Sequence, residues 1–315
     1  MTESKKRVVV FMGGISAERE VSLMSGQGVA AALVERGFDV TTFDPATDAF
    51  ETLEDGKFDA AFIALHGKLG EDGSVQGLLN CLGIPYTGPG VQASAVAMDK
   101  ELTKLVWRAA GIPVPAGVRM TKREAADAAR IERLIADFGA EGLVVKPERD
   151  GSSIGVTKLV KAALSAEALR EAIELAAGEE GAALVEEYVH GREFTIALLD
   201  GKALPVIEIR APEGSYDFQN KYYTDVVSYD CPANLSEEES ATLRGYCEKA
   251  FRAVGARGWS RIDALRRADG RFALLEINTA PGMTPHSLVP MAARAEGMDY
   301  GTLCVKLLEG ARIDE

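Results

Sequence analysis

Four residues in the C-terminal third, Arg261, Asp263, Glu276 and Asn278, have side chains suited to holding a divalent cation beside a phosphate. They lie on two strand-like runs flanking Asp269-Gly270, a dipeptide favoured in two-residue hairpin loops. With such a loop Ala268 faces Arg271, which puts Asp263 opposite Glu276 and Arg261 opposite Asn278. Side chains alternate along a strand, so all four project from one face at one end of the hairpin. Two carboxylates directly across from each other repel unless a cation sits between them. With an amide oxygen they form a hard oxygen set suited to Mg²⁺, phosphate oxygens completing the shell. Arg261 adds a planar donor fork for an anion. A solvated hairpin end with an Arg–Glu pair fits the same spacing, and a bulge would break the register.

Other stretches carry weaker signals. Asp150-Gly-Ser-Ser-Ile-Gly155 follows a strand-like run ending in Lys146. Its small residues would let backbone N–H groups approach phosphates, with Lys146 in reach; an ordinary hairpin loop and a surface lysine fit as well. Glu186-Glu187-Tyr188-Val189, with Glu193, could offer backbone groups to a purine edge and an acid to ribose, or be a solvated acidic edge. Lys221-Tyr222 lies in an irregular segment near Asp217 and Asp225, where a tyrosine could equally be core. The run from Asn278 through Gly282 to His286-Ser287-Leu288 is rich in turn residues. Its backbone N–H groups near Gly282 could bind an oxyanion, or it could simply connect two elements.

The elements that must position these residues alternate. Residues 7–12 read as a buried strand ending in Gly13-Gly14, residues 16–36 as a helix, and residues 40–43 and 60–65 as further strands. That alternation predicts a small parallel α/β unit, with Gly13-Gly14, Glu18 and His66 beyond the carboxyl ends of its strands, where ligands bind. Residues 98–110 read as a helix and 143–146 as a strand. Residues 163–177 read as a helix, 184–189 as a strand, 194–199 and 203–210 as a hairpin about Asp200-Gly201, and 236–254 and 300–308 as helices. Residues 211–235 read as a long functional loop. The expected division is 1–97, 98–183 and 184–315.

Composition agrees with a globular multi-unit chain: 315 residues, 47% apolar and 26% charged. Its 35 basic against 48 acidic residues leave a net charge of −13, which argues against nucleic acid or an anionic membrane as partner. No apolar run is long enough to span a bilayer and no signal-peptide pattern is read at the N-terminus, so the expected setting is cytoplasmic. Cys81, Cys231, Cys247 and Cys304 show no CxxC spacing and read as structural thiols.

Together the signals resemble the D-alanine–D-alanine ligase family, of the ATP-grasp fold. The matching stretches are Gly13-Gly-Ile-Ser-Ala-Glu-Arg-Glu-Val-Ser22, Ala64-Leu-His-Gly67 through Gly70-Glu-Asp-Gly73, Pro85-Tyr-Thr-Gly88, Met98-Asp-Lys100, Val145-Lys-Pro147 and Gly151-Ser-Ser153. Lys221-Tyr222, Gly258-Trp-Ser-Arg-Ile-Asp263, Leu275-Glu-Ile-Asn278 and Pro281-Gly-Met283 through His286-Ser-Leu-Val-Pro-Met291 complete the match, in order, over about residues 8 to 310.

The resemblance implies three α/β domains with ATP between the central and C-terminal ones, and formation of D-alanyl-D-alanine for peptidoglycan precursors through a D-alanyl phosphate. It assigns Lys100, Lys146, Ser152 and Lys221 to ATP, with Glu186, Tyr188, Val189 and Glu193 at adenine and ribose. Asp263, Glu276 and Asn278 would hold two Mg²⁺ or Mn²⁺. Glu18 would bind the ammonium of the first D-alanine, joined to Ser152 and Tyr222 by hydrogen bonds, and His66 would line that subsite. Ser287, with Leu288 beside it, would hold the second D-alanine, while Arg261 and the Gly282 N–H would stabilise the tetrahedral intermediate. A homodimer is implied as well. Ile15, Glu148, Tyr188 and Thr279-Ala280 depart from the commoner family residues without removing an anchor. An ester-forming D-alanine–D-lactate ligase, against which Tyr222 argues, and a silent ATP-binding regulator are the alternatives.

Overall fold

Three short runs of β-branched and aromatic residues form the first sheet of the computed structural model, which describes residues 5–149, 155–178, 181–211 and 227–314. These are β1 (Arg7–Phe11), β2 (Asp39–Phe43) and β3 (Ala60–Ile63), in the order β2-β1-β3 and all parallel. Parallel strands need crossovers. Helix α1 (Arg19–Glu35) supplies the first and α2 (Glu51–Gly56) lies in the second. Helices α3 (Ser74–Leu82), α4 (Val91–Met98) and α5 (Lys100–Ala109) follow. The helix expected over 98–110 is α5, and α4 is a separate helix that ends at Met98. They break at Asp99, which takes an extended backbone and caps α5 by accepting a hydrogen bond from Leu102 N.

The second sheet is antiparallel, ordered β4 (Gly117–Thr121), β7 (Ala182–Glu187), β5 (Gly142–Pro147), β6 (Thr157–Val160). Helices α6 (Lys122–Ala125), α7 (Ala128–Phe138) and α8 (Ala166–Ala176) accompany it, and the leucines and isoleucines of α7 and α8 share its core with Val145, Leu143 and Val185. The third sheet is also antiparallel: β11 (Ser228–Asp230), β10 (Ile207–Arg210), β8 (Gly191–Leu199), β12 (Trp259–Arg267) and β13 (Phe272–Asn278), with the short β9 (Lys202–Ala203) also on β8. Helices α9 (Glu237–Ala253), α10 (Leu288–Ala295) and α11 (Tyr300–Glu309) complete the described elements.

Two packing facts matter for the site. Val8, Val10 and Phe62 of the first sheet share one apolar core with Trp259, Met283, Val289 and Leu303, so the sheet edge bearing Glu18 and His66 is fixed against the C-terminal third. Trp107 of α5 is buried among Phe194, Ile196 and Phe251 and donates its indole N–H to Ala250 O at 3.1 Å. Among the described residues no helix is long and apolar enough to cross a membrane. All four cysteines are free, and burial pushes the thiols of Cys231, Cys247 and Cys304 above their ordinary range.

Candidate active site

The hairpin end carries the expected register by an unexpected route. Arg267 pairs with Arg271 through Arg267 N to Arg271 O at 2.8 Å, so the loop is three residues, Ala268, Asp269 and Gly270. Gly270 takes a left-handed backbone, φ 87°, as the last position of such a loop requires. Pairing continues as Arg266–Phe272, Leu265–Ala273 and Ala264–Leu274. Leu275 is then an extra residue in a β-bulge, beyond which the pairs are Asp263–Glu276, Ile262–Ile277 and Arg261–Asn278. A longer loop and a bulge compensate, and the four chemical residues share one end as anticipated.

Asp263 is 5% exposed and is held from three sides. Arg261 donates Nε to Oδ1 at 2.9 Å and Nη2 to Oδ2 at 2.8 Å. Thr195, its neighbour on β8, donates its hydroxyl to Oδ1 at 2.5 Å, and Asn278 Nδ2 lies 3.3 Å from Oδ2. Lys100 Nζ is 3.5 Å from Glu276 Oε2. Among the described residues no three His, Cys, Asp or Glu side chains converge on an ion. The set here is instead two carboxylates and an amide, all oxygen donors at one strand end. It fits a hard divalent cation that takes its remaining ligands from phosphate.

Behind Glu276 lies a charged layer that sequence reasoning resolved only in part. Glu186 is 2% exposed and pairs with Lys146, Nζ to Oε2 at 2.5 Å, and through Oε1 with Lys104. Lys104 is wholly buried. Burial pulls its ammonium down to about 7, against the upward pull of Glu186. Lys146 is raised: the carboxylates of Glu186 and Glu276 outweigh its burial. Glu186 is lowered because its two lysines outweigh the opposing burial cost. Three lysines, Lys100, Lys104 and Lys146, thus face two carboxylates, Glu186 and Glu276, an excess of one cation when all are charged. Such a layer favours an anion. Lys104 went unnoticed in sequence, though it lies four residues after Lys100 and on the helix face that buries Thr103 and Trp107.

Of the residues expected at adenine and ribose, Val189 is 8% exposed. Among the described residues neither of its backbone groups has a hydrogen-bond partner, whereas Tyr188 N is taken by Gly142 O at 2.9 Å. Glu193 lies on β8 opposite Leu265 and Ile209. Ser152, Lys221 and Tyr222 lie outside the described residues, as do Asp217 and Asp225.

Beyond the carboxyl ends of β1 and β3 the structure brings together Glu18, His66 and Arg261. Glu18 heads α1, and its Oε2 would lie 3.4 Å from a Cβ placed on Gly67. Buried His66 feels the charges of both Glu18 and Arg261, but desolvation dominates and lowers its pKa, leaving it neutral. Glu71, which sequence reading quoted without assigning a role, accepts Gly67 N at 2.8 Å and Ala280 N at 3.1 Å. Burial, reinforced by the charge of Glu18, pushes its carboxyl up to about 7.

Glu71 therefore keeps its proton to higher pH in the folded chain than in the unfolded one, where 4.5 applies. The native state binds more protons between about 4.5 and 7, so this group's contribution to stability falls as pH rises through that window. We expect the melting temperature of Glu71→Gln to gain on that of the native chain by a few degrees between pH 5 and pH 8. Calorimetry of both proteins across that range checks this, and parallel curves would exclude it.

Ser287 caps the turn after Gly282. Its Oγ accepts Thr284 N at 3.0 Å and lies 2.8 Å from Thr284 Oγ1. A Cβ on Gly282 would lie 3.0 Å from that same oxygen, so a larger residue here would crowd Ser287. Leu288 begins α10 and is 8% exposed.

Two family models match the chain: "D-ala D-ala ligase C-terminus" over residues 106–309 and "D-ala D-ala ligase N-terminus" over residues 42–89. Among its relatives, the D-alanine–D-alanine ligase of Aromatoleum aromaticum is 50% identical over 307 residues, covering 98% of this chain and 96% of the relative. That of Delftia acidovorans is 50% identical over 313 residues, covering 98% and 93%. The crystal structure of D-alanine–D-alanine ligase from Bacillus anthracis complexed with ATP superposes with a TM-score of 0.82 at 31% identity, covering 98% of this chain and 97% of that one. VanG D-Ala:D-Ser ligase from Enterococcus faecalis superposes with a TM-score of 0.81 at 29% identity, covering 97% and 99%.

Proposed function

The chain belongs to the D-alanine–D-alanine ligase family, with the ATP-grasp fold, and is an ATP-dependent ligase of two D-alanine molecules; we propose that the residues gathered above divide that work as follows. The observation that carries the assignment is the Asp263–Glu276 pair, in register at the strand end that also holds Arg261, Asn278 and the Lys100 contact.

ATP lies between the units 98–183 and 184–315, its phosphates held by Lys100 and Lys146 and, from outside the described residues, by Ser152 and Lys221. Tyr188, Val189 and Glu193 serve adenine and ribose, and Glu186 acts there while also neutralising Lys146. Asp263, Glu276 and Asn278 hold two Mg²⁺ or Mn²⁺, which supply positive charge to the phosphoryl oxygens. The unit 1–97 contributes Glu18 and His66 to the first D-alanine. A homodimer, which the family resemblance implies, and a cytoplasmic setting complete the reading.

The chemistry follows from leaving groups. A carboxylate oxygen leaves poorly, so the first D-alanine carboxylate attacks the γ-phosphorus, the P–O bond to ADP breaks, and an acyl phosphate forms. Lys100 and Lys146 offset the charge that collects on the transferring group. The free amine of the second D-alanine, its carboxylate held at Ser287, then attacks the acyl carbon. The carbonyl electrons move onto oxygen, where Gly282 N–H and Arg261 face them, and return as the C–O bond to phosphate breaks. The amine loses a proton and phosphate departs. Water must be kept from the acyl phosphate, and the segments bearing Ser152 and Tyr222 are the candidate covers.

Phosphate release on mixing the protein with ATP, Mg²⁺ and D-alanine tests the reading, with product mass measured and L-alanine, D-lactate and D-serine as controls. Release with D-alanine and a D-alanyl-D-alanine product is expected. An ester product with D-lactate at a comparable rate would favour the depsipeptide ligase, and no release from folded protein that binds ATP would favour the silent regulator.

A further inference from the structure

The segment from Ala280 to Met283 is clamped on both flanks. Ala280 N donates to Glu71 Oε1 at 3.1 Å, and Ala280 O accepts from His66 Nδ1 at 2.7 Å. Met283 N donates to Ser25 Oγ at 3.1 Å, and Met283 O accepts from Tyr300 OH at 2.5 Å. Pro281 has no N–H to give. Among the described residues the one N–H of this segment without a partner is that of Gly282, which is what an oxyanion donor needs.

The clamp is directional. A carbonyl only accepts, so His66 carries its proton on Nδ1, which leaves Nε2 as an acceptor. Nε2 lies 3.1 Å from Ser25 Oγ, so the serine hydroxyl donates to it and keeps its lone pairs for Met283 N–H. Ser25 sits on α1 and is fully buried. It closes a circuit: Met283 N–H to Ser25, Ser25 to His66, His66 to Ala280 O. That circuit holds the Ala280–Pro281 and Gly282–Met283 peptides, which flank the Pro281–Gly282 peptide that carries the N–H. His66, with both ring nitrogens engaged by protein, acts in the same circuit as well as lining the first subsite.

We propose that Ser25 is a positioning residue for the second chemical step, fixing through His66 and Met283 the direction in which Gly282 N–H meets the forming oxyanion. This rests on the reading of Gly282 given above. A donor aimed at the tetrahedral adduct stabilises it more than the flat carbonyl of the ground state, so loosening the aim should cost turnover and spare substrate binding.

The test compares Ser25→Ala, Ser25→Cys and a chain in which Gly282 is replaced by its α-hydroxy acid analogue, which deletes the N–H and keeps the shape. The probe is a phosphinate dipeptide whose tetrahedral P–O⁻ mimics the adduct, assayed with ATP and Mg²⁺ beside kcat and the KM of D-alanine. Ser25→Ala should lower kcat and weaken the phosphinate by a similar factor, about 10- to 100-fold, with the KM of D-alanine changed less than about threefold. Ser25→Cys, a weaker donor of similar size, should fall between. If Ser25→Ala raises KM as much as it weakens the phosphinate, or changes neither, while the Gly282 analogue still weakens the phosphinate, the Ser25 inference is overturned and the Gly282 assignment stands. If the Gly282 analogue binds the phosphinate as well as the native chain, both fall.

Discussion

Glu276→Ala should lower dipeptide formation by about three orders of magnitude, or about 4 kcal/mol of transition-state stabilisation, while the melting temperature moves by no more than a few degrees. The asymmetry comes from what Glu276 touches. Among the described residues it lies 3.5 Å from the ammonium of Lys100, which is 9% exposed. Losing that contact costs little, because the Asp263–Glu276 repulsion is relieved at the same time. For the reaction the residue supplies a carboxylate to the oxygen set, and nothing described nearby replaces it. Steady-state phosphate release and calorimetry on the same preparation check the split; loss of stability in proportion to loss of activity would refute the metal assignment. Chelation of divalent cations should abolish turnover of the native chain and leave its unbound melting temperature unchanged.

The second large effect is expected at Glu186. Glu186→Gln leaves two buried ammonium groups, Lys104 and Lys146, without the carboxylate that both engage. Breaking a buried pair from one side costs about 3–5 kcal/mol because the stranded charge remains desolvated. A fall of several degrees in melting temperature should accompany a rise of about tenfold or more in the KM for ATP, since Lys146 loses its anchor. Lys104→Met removes the more deeply buried cation and keeps the volume. Added to Glu186→Gln it should restore part of the lost stability, so the double variant is more stable than the sum of the single changes predicts. Thermal unfolding of the four proteins measures this coupling, and strict additivity would mean that Lys104 and Glu186 do not share one network.

Much of this site could be read from the sequence because strand geometry is simple. Alternation and a hairpin signal put Asp263 opposite Glu276, although the loop length behind that deduction was wrong by one residue and the Leu275 bulge restored the pairing. The parallel order of β1, β2 and β3 followed from alternating short apolar runs and a helical period. What stayed hidden depends on long-range packing. Lys104 looks like any helix lysine until Trp107 fixes which face of α5 turns inward. Ser25 looks like a core serine until Met283, 258 positions along the chain, comes to meet it. Glu71 has no local sign that two amides will converge on it.

The three-residue loop and the bulge give this hairpin two places where its length can change without parting the acids. Deleting one residue from Ala268–Asp269–Gly270 would leave a two-residue loop inside the Arg267–Arg271 pair, with every pair beyond it unchanged. Deleting Leu275 alone would remove the bulge and bring Glu276 directly after Leu274, still opposite Asp263. Deleting Ile262 would instead turn Arg261 to the opposite face from Asp263. A designer changing the length of this hairpin can therefore edit its tip or its bulge, but not the strand between Arg261 and Asp263.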